Sequence, residues 1–102
     1  MLTPKQLLSC IQAAVDYVDA NNLDEARFVS AVDSLDSNTA NAVVVEIPSS
    51  HSYPNEIAVV DDPEKRLEDI DFVGDYVIFE YDAVKDCVTK KKGKKKEDED
   101  NE

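Results

Sequence analysis

The hydrophobic pattern of this chain changes its period near residue 42, and that change constrains the fold class more than any other feature. Before it, apolar residues recur at intervals of three and four, as on one face of a helix. After it, β-branched residues occur in short alternating runs bounded by proline, glycine or aspartate, as in strands. A helical part followed by strands predicts an α+β fold, with the helices packed on a sheet.

The helical part predicts two helices. Residues 3–6, Thr-Pro-Lys-Gln, combine an N-cap hydroxyl, a proline at the first helical position and a glutamine at the third. The apolar stripe of this first helix is Leu7, Leu8, Ile11, Ala14, Val15 and Val18. A second capping pair, Asn22 with Glu25, precedes apolar residues from Phe28 to Leu35 and predicts a second helix. Because the link is so short, the two should pack as a helical hairpin or a sharp elbow.

The rest of the chain predicts strands and one short helix. Residues 43–47, 56–60 and 75–81 have strand patterns, and residues 87–89 add a short edge strand. Asp62-Pro63 should begin a short helix that runs to about Asp69. The expected architecture is an N-terminal helical hairpin on a three- to four-stranded, mainly antiparallel sheet, followed by a disordered charged C-terminal tail.

Charge divides the chain into an acidic domain and a mixed tail. Residues 1–89 contain 18 acidic and 5 basic residues, a net charge of −13. Residues 90–102 hold six lysines and then five carboxylates, with no apolar residue, so we expect this segment to be disordered. The acidity therefore belongs to the single α+β domain predicted for residues 1–89.

The two cysteines and the N-terminus bear on the cellular compartment of the protein. Cys10 and Cys87 are far apart in sequence and lack the spacing of a metal site, so we interpret them as reduced core residues. The N-terminus has neither a signal peptide nor a long apolar run, which favours a cytoplasmic protein that does not contact a membrane. In a eukaryotic cell the lysine block could instead be a nuclear address.

Acidic residues are densest between Glu56 and Asp86, where eleven carboxylates oppose three basic residues. Carboxylates at strand or helix spacing can form a row that resembles a phosphate backbone. The candidate contact residues are Asp61, Asp62, Glu64, Glu68, Asp69, Asp71 and Asp75, with Asp16 and Asp19 as a second patch. The alternative interpretation is an acidic surface that only keeps the protein soluble.

Catalytic and metal-binding patterns are missing from the sequence. The clustered carboxylates lack the spacing of an EF-hand loop, and His51 has no nucleophile motif around it. We therefore expect no enzyme activity, no cofactor and no metal site.

Two functions remain as hypotheses. The first is an acidic DNA or RNA mimic that inhibits a basic nucleic-acid-binding protein, such as a nuclease, a restriction or CRISPR-type effector, or a polymerase. A viral or phage-encoded anti-defence protein would be one setting, and the chain would not bind nucleic acid directly. The second is an assembly adaptor that forms a homodimer through the helical hairpin. The lysine block is open to three interpretations: an address, a tether, or a mask folded over the acidic surface.

Overall fold

The computed structural model describes residues 1–23, 25–30, 40–50, 53–69 and 73–95. In chain order they form α1 (Pro4–Ala20), β1 (Arg27–Ser30), β2 (Ala42–Pro48), β3 (Glu56–Val60), α2 (Pro63–Asp69), β4 (Gly74–Asp82) and β5 (Cys87–Lys95). The described strands form one sheet in the order β1-β3-β2-β4-β5. In it β1 is parallel to β3, and the other neighbours are antiparallel. The α+β class is confirmed, with five strands rather than three or four.

Helix α1 begins at the predicted capping box. Thr3 Oγ1 accepts a hydrogen bond of 3.1 Å from the Gln6 amide, and Gln6 Oε1 accepts one of 3.0 Å from the Thr3 amide. The helix packs on β2, β4 and β5 and buries the small side chains of Cys10 and Ala14. Leu8 of the predicted apolar stripe is 64% exposed, so the buried face is narrower than predicted. Within the described residues, no helix is long and apolar enough to cross a membrane.

The predicted second helix is wrong where the structure describes it, because residues 27–30 form β1. Glu25 has a φ of 58°, a left-handed conformation that a continuing helix does not allow. The chain then pairs in parallel with β3, with Phe28 opposite Ile57 and Val29 opposite Ala58. Phenylalanine and valine suit a strand, and the edge of β3 supplies the backbone hydrogen-bond partners of this strand. Residues 27–30 are therefore not part of a second helix that could form a hairpin with α1. Residues 31–35 lie outside the described residues.

The sheet is buried on both faces. The core cluster between α1 and the sheet includes Val43, Val45, Ile57, Val59, Val77 and Phe79. The opposite cluster consists of Ala42, Val44, Ala58, Val60 and Ile78, with Leu67 of α2 packed against it. Burial on both faces explains why residues 42–45 form a continuous apolar run instead of a strict alternation.

The short helix and β4 are confirmed, whereas β5 is longer than predicted. Asp62 Oδ1 accepts hydrogen bonds from the amides of Glu64 and Lys65, at 3.1 and 3.3 Å, and so caps α2. Strand β5 pairs with β4 along all nine of its residues, up to Lys95. The predicted disorder is thus wrong for residues 90–95, because β4 supplies backbone hydrogen-bond partners along one side of this segment. Residues 96–102 of the predicted tail lie outside the described residues.

Backbone pairing of β5 is accompanied by side-chain packing. Lys90 Nζ and Lys92 Nζ lie 5.8 and 5.6 Å from the centroid of the Tyr17 ring, within cation–π range. On the other face Tyr76 lies across Gly93, where a Cβ atom would overlap the ring. Two lysines of β5 therefore contact an aromatic side chain, although the segment itself has no apolar residue after Val88.

The cysteines differ in environment. Both thiols are free, and Cys10 is fully buried, as predicted. Burial, with a smaller contribution from the charge of Glu80, raises the pKa of Cys10 to about 11. Cys87 is exposed because it begins an edge strand directly after a turn, so its predicted core position is wrong.

Candidate functional site: an acidic ridge and a basic sheet edge

Four charged side chains form a continuous network on the sheet face that α2 covers. The Arg66 guanidinium binds Glu46 through two hydrogen bonds, 2.8 Å from Nε to Oε2 and 3.0 Å from Nη2 to Oε1. Arg66 Nη2 also lies 3.6 Å from Glu56 Oε1. Arg27 donates to Glu56 Oε2 from Nε and Nη2, at 3.1 and 3.0 Å. The hydrogen bond to Glu46 is the main cause of a raised Arg66 pKa.

This network uses two arginines to neutralise carboxylates at the sheet. Glu46 and Glu56 lie directly opposite each other on β2 and β3, where two like charges would repel. Glu46 is only 3% exposed and needs a partner, because an unpaired buried carboxylate is strongly destabilising. Neither arginine pairs with a predicted contact residue. These two arginines therefore do not neutralise the carboxylates of the outer surface.

Four of the predicted contact residues are exposed along one segment, residues 61–68, and we call them the acidic ridge: Asp61, Asp62, Glu64 and Glu68. Asp61 follows β3, Asp62 caps α2, and Glu64 and Glu68 occupy exposed positions of α2 one turn apart. All four are exposed, and none forms an ion pair with another described residue. Like charges four residues apart destabilise a helix by roughly 0.2–0.5 kcal/mol. The ridge therefore concentrates negative charge at a small cost in stability.

Three of the other predicted contact residues, Asp16, Asp19 and Asp75, lie elsewhere. Asp16 and Asp19 are exposed on α1, which packs on the opposite face of the sheet from α2. Asp75 lies on β4, with Oδ1 3.9 Å from Nζ of Lys94. Asp69 ends α2, but its side chain is outside the description, and Asp71 lies outside the described residues, as does His51. The described members of the predicted set therefore lie in three places: residues 61–69, helix α1 and strand β4.

Sequence reasoning missed a basic edge on the far side of the sheet. The lysines of β5, which we call the basic edge, are Lys90, Lys91, Lys92, Lys94 and Lys95. They lie on the outermost strand, three strand positions from β3 and the ridge that follows it. The sequence signal was the lysine block itself, but its composition is typical of disorder, so only pairing with β4 shows that it is a strand. The acidic ridge and the basic edge are thus separated across the sheet.

A groove lies between α1 and β5, beside the basic edge. It has a volume of about 440 Å³, and it is lined in part by Asp16, Tyr17, Phe79, Val88 and Lys90. The ring of Tyr17 meets that of Phe79 edge to face, with centroids 6.1 Å apart, and forms part of an aromatic floor. The groove therefore combines apolar surface with charges of both signs.

The described residues include no group of three or more histidine, cysteine or acidic side chains arranged to hold a metal ion. One polar contact is tight: Tyr81 donates a hydrogen bond of 2.6 Å to Asp86 Oδ1, which raises the pKa of Tyr81 to about 12. This pair lies near the turn between β4 and β5, away from the acidic ridge.

Comparisons of the chain with protein-family models, with curated proteins and with solved structures find no match. The charges and surfaces of the molecule are therefore the basis on which a function can be inferred.

Proposed function

We propose that this protein is an acidic binding protein that inhibits or regulates a nucleic-acid-binding protein by occupying its basic site with the acidic ridge. The observation that carries the proposal is the set of four exposed carboxylates that form no ion pair with another described residue, on one segment at the end of β3 and along α2. A basic groove that accepts phosphates would also accept such a row of carboxylates. A nuclease, a restriction or CRISPR-type effector, or a polymerase has a groove of this kind.

The arrangement of the cations supports this proposal. Arg27 and Arg66 are engaged with Glu56 and Glu46, and the five lysines of the basic edge lie on β5, three strand positions from β3. Lys65 and Arg66 lie between Glu64 and Glu68 in sequence; Arg66 binds Glu46, and the side chain of Lys65 forms no ion pair with Glu64 or Glu68. A partner would therefore meet a surface of predominantly one sign, which increases the association rate and gives specificity.

The structure supports the adaptor hypothesis less well than the sequence does, because β1 replaces part of the helical hairpin that was expected to form the dimer interface. The surface that still favours a homodimer is the outer face of α1, where Leu8 and Val15 are 64% and 36% exposed. Sedimentation equilibrium separates the two proposals. A monomer at micromolar concentration excludes the adaptor and leaves the acidic ridge as the interaction surface.

The ridge proposal is tested by charge reversal. The variant Asp61→Lys, Glu64→Lys, Glu68→Lys reverses three of the four carboxylates and leaves Asp62, the cap of α2, in place. A partner is first captured from the lysate of the native host and purified, and its affinity is then measured by titration. We expect the variant to bind at least about tenfold more weakly, with duplex DNA or RNA competing against the parent protein, and with affinity that falls steeply with salt.

A matched control reverses three exposed acids outside the acidic ridge: Asp16→Lys, Asp19→Lys, Glu25→Lys. The net charge change is the same, so a general electrostatic effect would weaken both variants equally. If only the ridge variant loses affinity, the ridge is the contact surface. Equal affinity of the ridge variant and the parent, with both folded by circular dichroism, would overturn the proposal.

A further inference from the structure

The outer edge of β5 is a long open strand edge. β5 has nine residues and pairs with β4 on one side, and no other described strand pairs with its second side. Every second residue of such an edge presents a backbone amide and carbonyl away from the sheet. Proteins often keep edge strands short, so an edge of this length is a surface where another extended chain can pair.

The side chains of β5 give this edge a charge preference. Lys90, Lys92 and Lys94 lie opposite Phe79, Val77 and Asp75, on the sheet face that α1 covers. Lys91 lies opposite Ile78, on the other face. A strand added beside β5 would therefore meet lysines on both of its faces. Opposite charges directly across a strand pair stabilise it, and like charges destabilise it.

We propose that the outer edge of β5 binds an acidic, extended polypeptide segment, which adds to the sheet as a sixth strand. Main-chain hydrogen bonds to β5 would hold the segment, and its carboxylates would pair with the lysines. On the α1 side its side chains would lie beside the groove of Tyr17, Phe79 and Val88, which offers apolar contact. This surface is separate from the acidic ridge and does not depend on the function proposed for it.

Two other occupants fit the edge less well. A second copy of β5 would place lysines against lysines, so direct pairing of two β5 edges is opposed by repulsion. A nucleic acid would lack the backbone groups that pair with a strand edge. Its phosphates would also approach Asp16, in the groove that holds Lys90 and Lys92, and Asp75, 3.9 Å from Lys94. Charge and backbone chemistry together therefore favour a peptide with carboxylates.

The experiment uses the full chain and three fluorescently labelled probes, measured by anisotropy. The first probe is a nine-residue peptide in which glutamate alternates with threonine. The second has the same glutamates but proline in place of threonine, so it keeps the charge and loses the amide donors at those positions. The third is a single-stranded oligothymidylate of similar charge. We expect the first probe to bind at least about tenfold more tightly than either of the others.

The matching protein variants are Lys90→Gln, Lys92→Gln, Lys94→Gln and, as a control of equal charge change, Lys5→Gln, Lys65→Gln, Lys85→Gln. We expect roughly tenfold weaker binding of the glutamate–threonine peptide for the first variant only. Hydrogen exchange should also show new protection of β5 amides that point away from β4. Equal binding of the proline peptide, preference for oligothymidylate, or equal effects of the two variants would overturn the proposal.

Discussion

At the scale of single residues, the buried pair of Glu46 and Arg66 should be the most sensitive charged contact. Arg66→Ala removes both hydrogen bonds and leaves a carboxylate that is 3% exposed without its partner. We expect this to lower the free energy of unfolding by about 3 kcal/mol, measured by urea denaturation. Lys65→Ala, its exposed neighbour on α2, is the control and should change stability by less than about 0.5 kcal/mol.

A double variant distinguishes the contribution of the ion pair between Glu46 and Arg66 from that of side-chain packing. Glu46→Val with Arg66→Met removes both charges and keeps apolar volume, so its stability should return to within about 1 kcal/mol of the parent. If Arg66→Ala were as stable as the parent, Glu46 would have another way to satisfy its charge.

Residue-level sequence reasoning succeeded where the interaction is local. The capping pair of Thr3 and Gln6 and the cap at Asp62 depend on residues three positions apart or fewer, and both are present. Glu46 was not singled out, because its partner Arg66 is 20 residues away and becomes adjacent only through the fold. The contact residues were chosen by density along the chain, which cannot show that α1 with Asp16 and α2 with Glu64 pack on opposite faces of the sheet.

At the scale of elements, β5 yields the sharpest prediction. A chain that ends after Thr89 loses the pairing of residues 90–95 with β4. Because a backbone hydrogen bond contributes about 1 kcal/mol, we expect the free energy of unfolding to fall by roughly 3 kcal/mol. The thermal midpoint, measured by circular dichroism, should then fall by more than about 10 °C. A chain that ends after Lys96 keeps β5 and is the control. Equal midpoints of the two chains would contradict the strand assignment of residues 90–95.

The elements that sequence predicted correctly have their own local signals. α1 and α2 have caps, and β2, β3 and β4 have β-branched residues and clear ends. β1 and β5 lack such signals, since each is an edge strand that forms by pairing with its neighbour. The partner of β1 is distant in sequence, and the partner of β5 has the opposite composition. Nothing in the local pattern of residues 27–30 distinguishes a short strand from a helix, because their apolar pair fits either period.

At the scale of the whole molecule, inclusion of β5 in the fold reduces self-repulsion without removing it. Residues 1–95 contain 18 acidic and 10 basic residues, a net charge of −8 instead of the −13 of residues 1–89. We expect sodium chloride, raised from about 0.02 to 0.5 M, to increase the free energy of unfolding by about 1 kcal/mol through screening. Thermal denaturation should show a midpoint higher by roughly 4–8 °C.

A neutralised ridge is the control for this salt effect. Asp61→Asn, Glu64→Gln, Glu68→Gln removes three negative charges and should raise stability at low salt while making it less dependent on salt. A midpoint that falls as salt rises would mean that attraction between the basic edge and the acids, such as Lys94 with Asp75, outweighs repulsion in the folded protein.

The contact between Tyr76 and Gly93 has a consequence for the register in which β5 pairs with β4. Between Thr89 and Lys96 every residue except Gly93 is lysine, so sliding the strand by two positions would leave nearly the same side chains on each face. Such a slip would, however, place Lys91 or Lys95 opposite Tyr76, where the ring now lies against a backbone without a Cβ atom. A single glycine thus selects one alignment from several that are otherwise almost equivalent, and gives a strand of nearly uniform sequence a unique register.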